Sequence, residues 1–300
     1  MIGRFVALVV VLLAGLAACT PVQDAGSVAP ALAGTPLEHC CDSPAVYPPV
    51  VVALTDPLAE PIGRLIHDSP VRTGYLAVPD AQAAILDALR PLDILDMSNR
   101  GRLSSRFLPG RFTHVAVYLG TEAQLRALGV WSSPRIVPQH QAIRDGQVFI
   151  EADAEGVHLS PAEVVLNTDA VVVMRPQLGW SARRAAAEGF AQRLGGAFDF
   201  HFDNATPNAV YCAELVGQVL PDLALPTRHL YGRETILPED IVLETAVGKS
   251  QLTLVAYFTG TPDGWRRATR AELVADLRDW WRGPVATPQL ATACPCPAPA

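Results

Sequence analysis

"NAVYCAELVGQVL", residues 208–220, sets one cysteine between an aromatic residue and a run whose apolar spacing reads as a helix, ended by Pro221. A cysteine on the buried face of a helix is a small hydrophobe. One in the first turn is held where the helix dipole favours a thiolate. Tyr211, Leu215 and Val219 make a plausible core stripe with Cys212 beside it, so the segment alone supports packing and chemistry equally.

Outward from this stretch, the chain alternates strand-like and helix-like segments. "LDILDM" (92–97), "FTHVAVYLG" (112–120), "VFIEAD" (148–153), "AVVVMRP" (170–176) and "QLTLVAYFT" (251–259) are β-rich runs bounded by turn residues. Between and around them lie helical patterns. These are "DAQAAILDALR" (80–90, between Pro79 and Pro91), "TEAQLRALG", "SPAEVVL", "SARRAAAEGFAQRLGG" (181–196), "LPEDIVLETA" and "TRAELVADLRDWWR" (269–282). Ser160 with Glu163 has capping-box order, and Ser181 reads as the cap of the 181–196 helix, which a glycine pair stops. No internal repeat is present. The sum is an α+β domain, a small antiparallel sheet with helices packed on it.

Half of the 300 residues are apolar, enough for a substantial core. The net charge of −7 with only 23 basic residues excludes a nucleic-acid partner, because phosphate binding needs clustered Lys and Arg. The first residues, "MIGRFVALVVVLLAGLAACT", have one positive charge, a short apolar run and small residues before Cys19, the layout of an export signal. "LAAC" resembles the bacterial lipobox. That resemblance implies cleavage before Cys19, lipidation of its sulfur and, since Thr20 follows, an outer-membrane anchor facing the periplasm. The alternative is an ordinary signal peptide or an uncleaved anchor. Residues 19–49 are rich in Ala, Pro, Gly and Ser and read as a tether. With Cys19 lipidated, five cysteines remain: Cys40 and Cys41 can cross-link to Cys294 and Cys296 in an oxidising compartment, which leaves Cys212 alone. The "CPC" tail lacks CxxC spacing and is a weak metal motif, so neither metal nor cofactor is expected.

A thiolate nucleophile needs a base and a third group to orient that base. Of the seven histidines, His114 opens an apolar strand, sharing a face with Ala116 and Tyr118. Glu151 interrupts the next strong strand. Each has a bland reading, a half-buried structural histidine and a solvated strand-end acid.

The run "GGAFDFHFDNATPNAVYCAELV" (195–216), together with "FTHVAVYLG" and "FIEADAEGV", resembles the YaeF/YiiX group of permuted papain-like cysteine hydrolases of the NlpC-type superfamily. The resemblance covers roughly residues 90–258, with the histidine strand ahead of the cysteine helix. It implies a circularly permuted papain-like fold, with Cys212 as nucleophile, His114 as general base and Glu151 as orienter. The backbone N–H of Cys212 is then a natural oxyanion donor. Tyr211 is expected to pack on His114 or line the pocket, and His158 is the alternative orienter. Asp199 and His201 read as turn or pocket-wall residues, and Glu214 as a first-turn acid that complements the helix dipole. Ala213 departs from the family's usual serine, which puts fine substrate recognition in doubt. The expected division is a signal over 1–18, the tether, an N-terminal extension over 50–90, the hydrolase domain over 91–260, and a C-terminal helix with a Pro/Cys tail over 261–300.

The function so implied is a lipid-anchored cysteine hydrolase acting on an amide or (thio)ester. Its substrate would be a peptide or cell-wall fragment, or else an acyl lipid. The rival class is a binding or scaffolding lipoprotein that keeps the fold without turnover. Oxidation of Cys212 to a disulfide is a third possibility, and reactivity of the thiol separates the three.

Overall fold

The structure, a computed structural model, describes residues 49–69, 71–99, 108 and 110–282. The signal, Cys19, nearly all of the tether, the cysteines at 40, 41, 294 and 296 and the Pro/Cys tail lie outside the described residues.

Two short helices come first, α1 (Pro49–Thr55) and α2 (Ala59–His67), joined by one 3₁₀ turn. Next is α3 (Pro79–Ala88), which opens on Pro79, where a missing N–H removes no helical bond, and stops before Pro91. The chain then runs β1 (Ile94–Ser98), β2 (His114–Tyr118), α4 (Glu122–Ala127), α5 (His140–Arg144), β3 (Gln147–Asp153), β4 (Gly156–Pro161) and α6 (Ala162–Val165). The next elements are β5 (Ala170–Pro176), α7 (Trp180–Arg193), β6 (Ala197–Phe198), β7 (Ala209–Val210) and α8 (Cys212–Val219). Last come β8 (Arg228–Leu230), β9 (Arg233–Thr235), α9 (Pro238–Val247), β10 (Leu252–Thr261), β11 (Gly264–Ala268) and α10 (Arg270–Arg282).

Seven strands form one sheet in the order β11-β10-β5-β1-β2-β3-β4, and every neighbouring pair is antiparallel. The expected mixed architecture is therefore present, with β4 and β11 added to the strands read from the sequence. β5 lies between β10 and β1 and is covered on both faces. Its residues Val171 to Met174 are wholly buried, which is why "AVVVM" is continuously apolar instead of alternating. At its end Arg175 donates to both oxygens of the buried Asp93, at 2.7 and 2.6 Å, and Asp93 also accepts the Arg90 N–H. That bidentate pair pins the turn before β1, where Leu92 takes a φ of 75°.

Two cap assignments need correction. Ser160 is buried inside β4, and α6 begins after Pro161 with no side-chain cap, because pairing with β3 outcompetes the local capping box. Helix α7 starts at Trp180 with Gly179 at its N-cap, so Ser181 lies within the helix. Thr121 and Gln124 form the full capping box at α4.

β11 and α10 continue the same core beyond residue 260. Leu273 and Leu277 are buried in it, and the Tyr257 hydroxyl donates to Asp276 at 2.5 Å. At the opposite end of the chain, α2 rests on the 198–203 loop. The Arg64 guanidinium donates to the Ala154 carbonyl at 3.1 Å and lies 5.4 Å from the Phe200 ring centre. Asp56 pairs with Arg233 of β9. A Cβ on Gly63 would overlap the Phe200 ring, so glycine permits this close approach.

Candidate active site

Strand register brings the first two site residues together. Ala116 pairs with Glu151, and His114 lies two residues before Ala116 and so on the same face. The rings and carboxyl meet accordingly: His114 Nε2 is 2.6 Å from Glu151 Oε2. This leaves Nδ1 as the nitrogen for the thiol, and interaction with Cys212 raises the His114 pKa.

Cys212 reaches that position because it is the first residue of α8, which packs across β2 and β3. Tyr211 at the N-cap is extended, with φ −102° and ψ 173°, so the helix starts abruptly beneath the histidine. The N–H groups of a first turn lack intrahelical acceptors and carry the positive end of the dipole. Cys212 is a free, buried thiol.

Electrostatics lock the pair. Burial alone would lower the His114 pKa, but hydrogen bonds to Cys212 and Glu151 outweigh it and raise it to about 10. Burial would raise that of Glu151, yet the His114 bond and charge, a hydrogen bond from Ser160 and the nearby His158 bring it down to about 2. A raised histidine stabilises the fold below its ordinary 6.5 and loses that contribution towards pH 10. A depressed glutamate stabilises it above its ordinary 4.5 and loses that contribution towards pH 2. The pair is therefore strongest between about pH 4.5 and 6.5.

The secondary candidates fall differently. His158 faces Glu151 across the β3–β4 ladder with Nε2 3.8 Å from Oε1, while its Nδ1 is 3.1 Å from the Gly156 carbonyl. It stands behind the glutamate and bolsters its charge without touching His114. Tyr211 does not pack on His114 or line the cleft. It is fully buried, its hydroxyl accepts the Ile236 N–H at 2.6 Å and donates to Asn204 Oδ1 at 2.5 Å, and its ring tilts on Phe202. It ties the start of α8 to the segment that leads into α9. Asp199 is a turn former, accepting the N–H groups of His201 and Asp203 at 2.8 and 2.7 Å. His201 lines the cleft. Glu214 sits in the first turn of α8, as read from the sequence, and is buried there. Burial, followed by the repulsion of Asp199 and Asp203, outweighs its bonds from Gln218 and the Tyr211 N–H and raises its pKa to about 7. Ala213 is wholly buried.

Sequence reasoning missed two groups. Ser160 reaches Glu151 from the neighbouring strand. Asp96 in β1 is completely buried, and neither of its carboxylate oxygens has a hydrogen-bond partner. Burial, with the negative charges of Cys212 and Glu239, pushes its pKa well above the ordinary carboxyl range, and His114 opposes the shift. The available signal was an acid in the middle of a strand that is otherwise apolar.

His114, Glu151 and Cys212 line a largely apolar cleft of about 280 Å³. Its walls come from Met97 and Thr113 beside His114, from the 198–202 loop, and from one face of α1 and α2. Glu151, Asp153 and His158 each bring a ligand atom within 4.8 Å of the others and are the described residues that could hold a metal ion. Glu151 is already engaged by His114. No described helix is long and apolar enough to cross a membrane.

A family model for the permuted papain-like amidase enzyme, YaeF/YiiX, C92 family, matches residues 89–275. Among solved structures, a metalloprotein, yiiX, from Escherichia coli O157:H7 is similar at 15% identity and a TM-score of 0.35, covering 60% of this chain and 96% of its own. No curated protein matches.

Proposed function

Because the chain belongs to the permuted papain-like amidase family of the YaeF/YiiX type, we propose that it is a cysteine hydrolase working through Cys212, His114 and Glu151. The observation that carries this reading is His114, 2.6 Å from buried Glu151 and on the same cleft as Cys212, whose interaction raises the His114 pKa. The Cys212 sulfur attacks the acyl carbonyl, and the oxyanion that forms faces the first-turn N–H groups of α8. His114 gives its proton to the leaving amine, producing a thioacyl-enzyme and free amine. It then takes a proton from water, whose oxygen attacks the thioester and releases the acid and the thiol. Glu151 holds the ring in one tautomer and stabilises its charged form.

The sequence further supports export and attachment through Cys19 to the outer membrane, with the enzyme facing the periplasm and the membrane as its partner.

The test is thiol reactivity. Alkylation of Cys212 by iodoacetamide at pH 6 should be fast in the wild type, slow in His114→Ala and intermediate in Glu151→Gln. Equal rates in all three would remove the triad and leave a binding protein on a hydrolase fold. Intact mass after incubation with a reactive thioester should show one acyl group, absent from Cys212→Ala.

A further inference from the structure

Helices α1 and α2 follow one another with only the 3₁₀ turn between them, and Thr55 and Ala59, on either side of that turn, are both right-handed helical. Two sets of residues alternate along this rod. Val52, Thr55, Ala59, Ile62 and Ile66 line the cleft. Leu54, Pro57, Leu58, Pro61 and Leu65, at matching three- and four-residue spacing, are exposed. The outward face of a surface helix is ordinarily polar. Here Leu54 is 67%, Leu65 47% and Leu58 40% exposed, so three of the eight large apolar side chains exposed among the described residues fall in one short segment.

Asp56, Glu60 and Arg64 are the charged residues between 53 and 65, and all three are paired. Glu60 meets Arg64 at 3.0 Å, and Asp56 pairs with Arg233. The outer face therefore combines apolar area with charges that are already matched, which suits hydrocarbon better than a charged partner. Its place in the chain points to the occupant. Residues 20–48 separate Cys19 from the helix that begins at Pro49. A lipid on Cys19 keeps this face within reach of the bilayer at an effective concentration on the order of millimolar, where even a weak apolar contact is occupied.

We infer that Leu54, Pro57, Leu58, Pro61 and Leu65 form a membrane-docking face, which rests on the lipid surface that carries the Cys19 anchor. The rod that walls the cleft with one face seats the protein on the bilayer with the other. This rests on the anchor reading for where the protein is held, but the apolar contact is a separate property of the chain.

The experiment compares the exported, lipidated protein with the mature chain carrying Cys19→Ser and made without residues 1–18. Flotation with about 5 mM lipid as vesicles of phosphatidylethanolamine and phosphatidylglycerol should carry up part of the Cys19→Ser chain. That fraction should change by less than about twofold on phosphatidylcholine vesicles or in high salt, because the contact is apolar. Adding Leu54→Asp, Leu58→Asp and Leu65→Asp together should lower the ratio of bound to free chain by about tenfold or more, with a thermal midpoint that stays within a few degrees. A comparison that needs no variant is deuterium exchange of the 53–65 amides, which should be slower in the lipidated protein on vesicles than in the Cys19→Ser chain without them. No flotation of the Cys19→Ser chain, with equal exchange over 53–65 in both states, overturns the docking face and leaves the anchor intact. Flotation that the three aspartates abolish, together with an exported chain whose mass shows no lipid on Cys19, retains the face and removes the anchor. Flotation undiminished by the three aspartates overturns the assignment to these leucines. A dimer that forms without vesicles and is lost in the triple variant, with no flotation, overturns the inference and gives the face to a second copy of the chain.

Discussion

The cleft has two unlike walls. The sheet wall is polar and tightly bonded: His114 and Glu151 meet at 2.6 Å, Ser160 and His158 back the glutamate, and the Arg175–Asp93 pair holds the strand turn. The helical wall of α1 and α2 is apolar, lies outside the family domain and is seated mainly by Arg64, Asp56 and the close approach at Gly63. Reaction chemistry demands fixed distances, which an antiparallel register supplies. One wall is held by charge and hydrogen bonds, the other by the shape of its packing.

The sharpest way to separate the walls is to disable the first alone. Cys212→Ala should lower kcat/KM by about 10⁴-fold or more, His114→Ala by about 10³-fold and Glu151→Gln by about 10²-fold, each read from initial rates on an anilide. A Glu151→Gln enzyme that kept full activity would break the comparison, because the bonded wall would then be scaffold.

A second prediction concerns rigidity behind the cysteine. Tyr211→Phe removes the hydroxyl that joins Asn204 to the Ile236 N–H and should cost about 1–3 kcal/mol in urea unfolding. Its kcat/KM on an acetyl anilide should stay within about twofold of wild type, since the ring lies off the cleft. A large loss of rate at unchanged stability would restore Tyr211 to the pocket.

Asp96 tests the polar wall from inside. Its folded pKa is raised, so above about pH 4 the folded chain retains a proton that the unfolded chain has released, and stability falls as pH rises. Asp96→Val should therefore be stabilising at pH 7 by about 1–3 kcal/mol, with the gain shrinking as the pH drops towards 4. A pH-independent loss of stability would reveal a partner for the carboxyl.

The smallest effect belongs to the apolar wall. Gly63→Ala pushes on Phe200 and should change the melting temperature by no more than a few degrees.

Much of this protein is determined locally. The helix that begins at Cys212 and ends before Pro221, the strand over 170–176 and the His114 strand follow from spacing, proline and apolar pattern, which act within a few residues. The candidate triad came from the resemblance to the permuted papain-like hydrolases, because the local pattern at Cys212, His114 and Glu151 suits packing as well as chemistry. Tertiary structure decided the rest. Strand pairing drew Ser160 into β4 against its own capping pattern, the packing of β7 and α8 turned Tyr211 away from the cleft, and the first-turn acid Glu214 was taken inside. Burial likewise made Asp96 a neutral-leaning acid next to a thiol. Nor does any local pattern in residues 49–69 announce that they wall the cleft beside His114, because that contact joins segments about 90 to 180 residues apart and depends on surfaces that exist only once the sheet has formed.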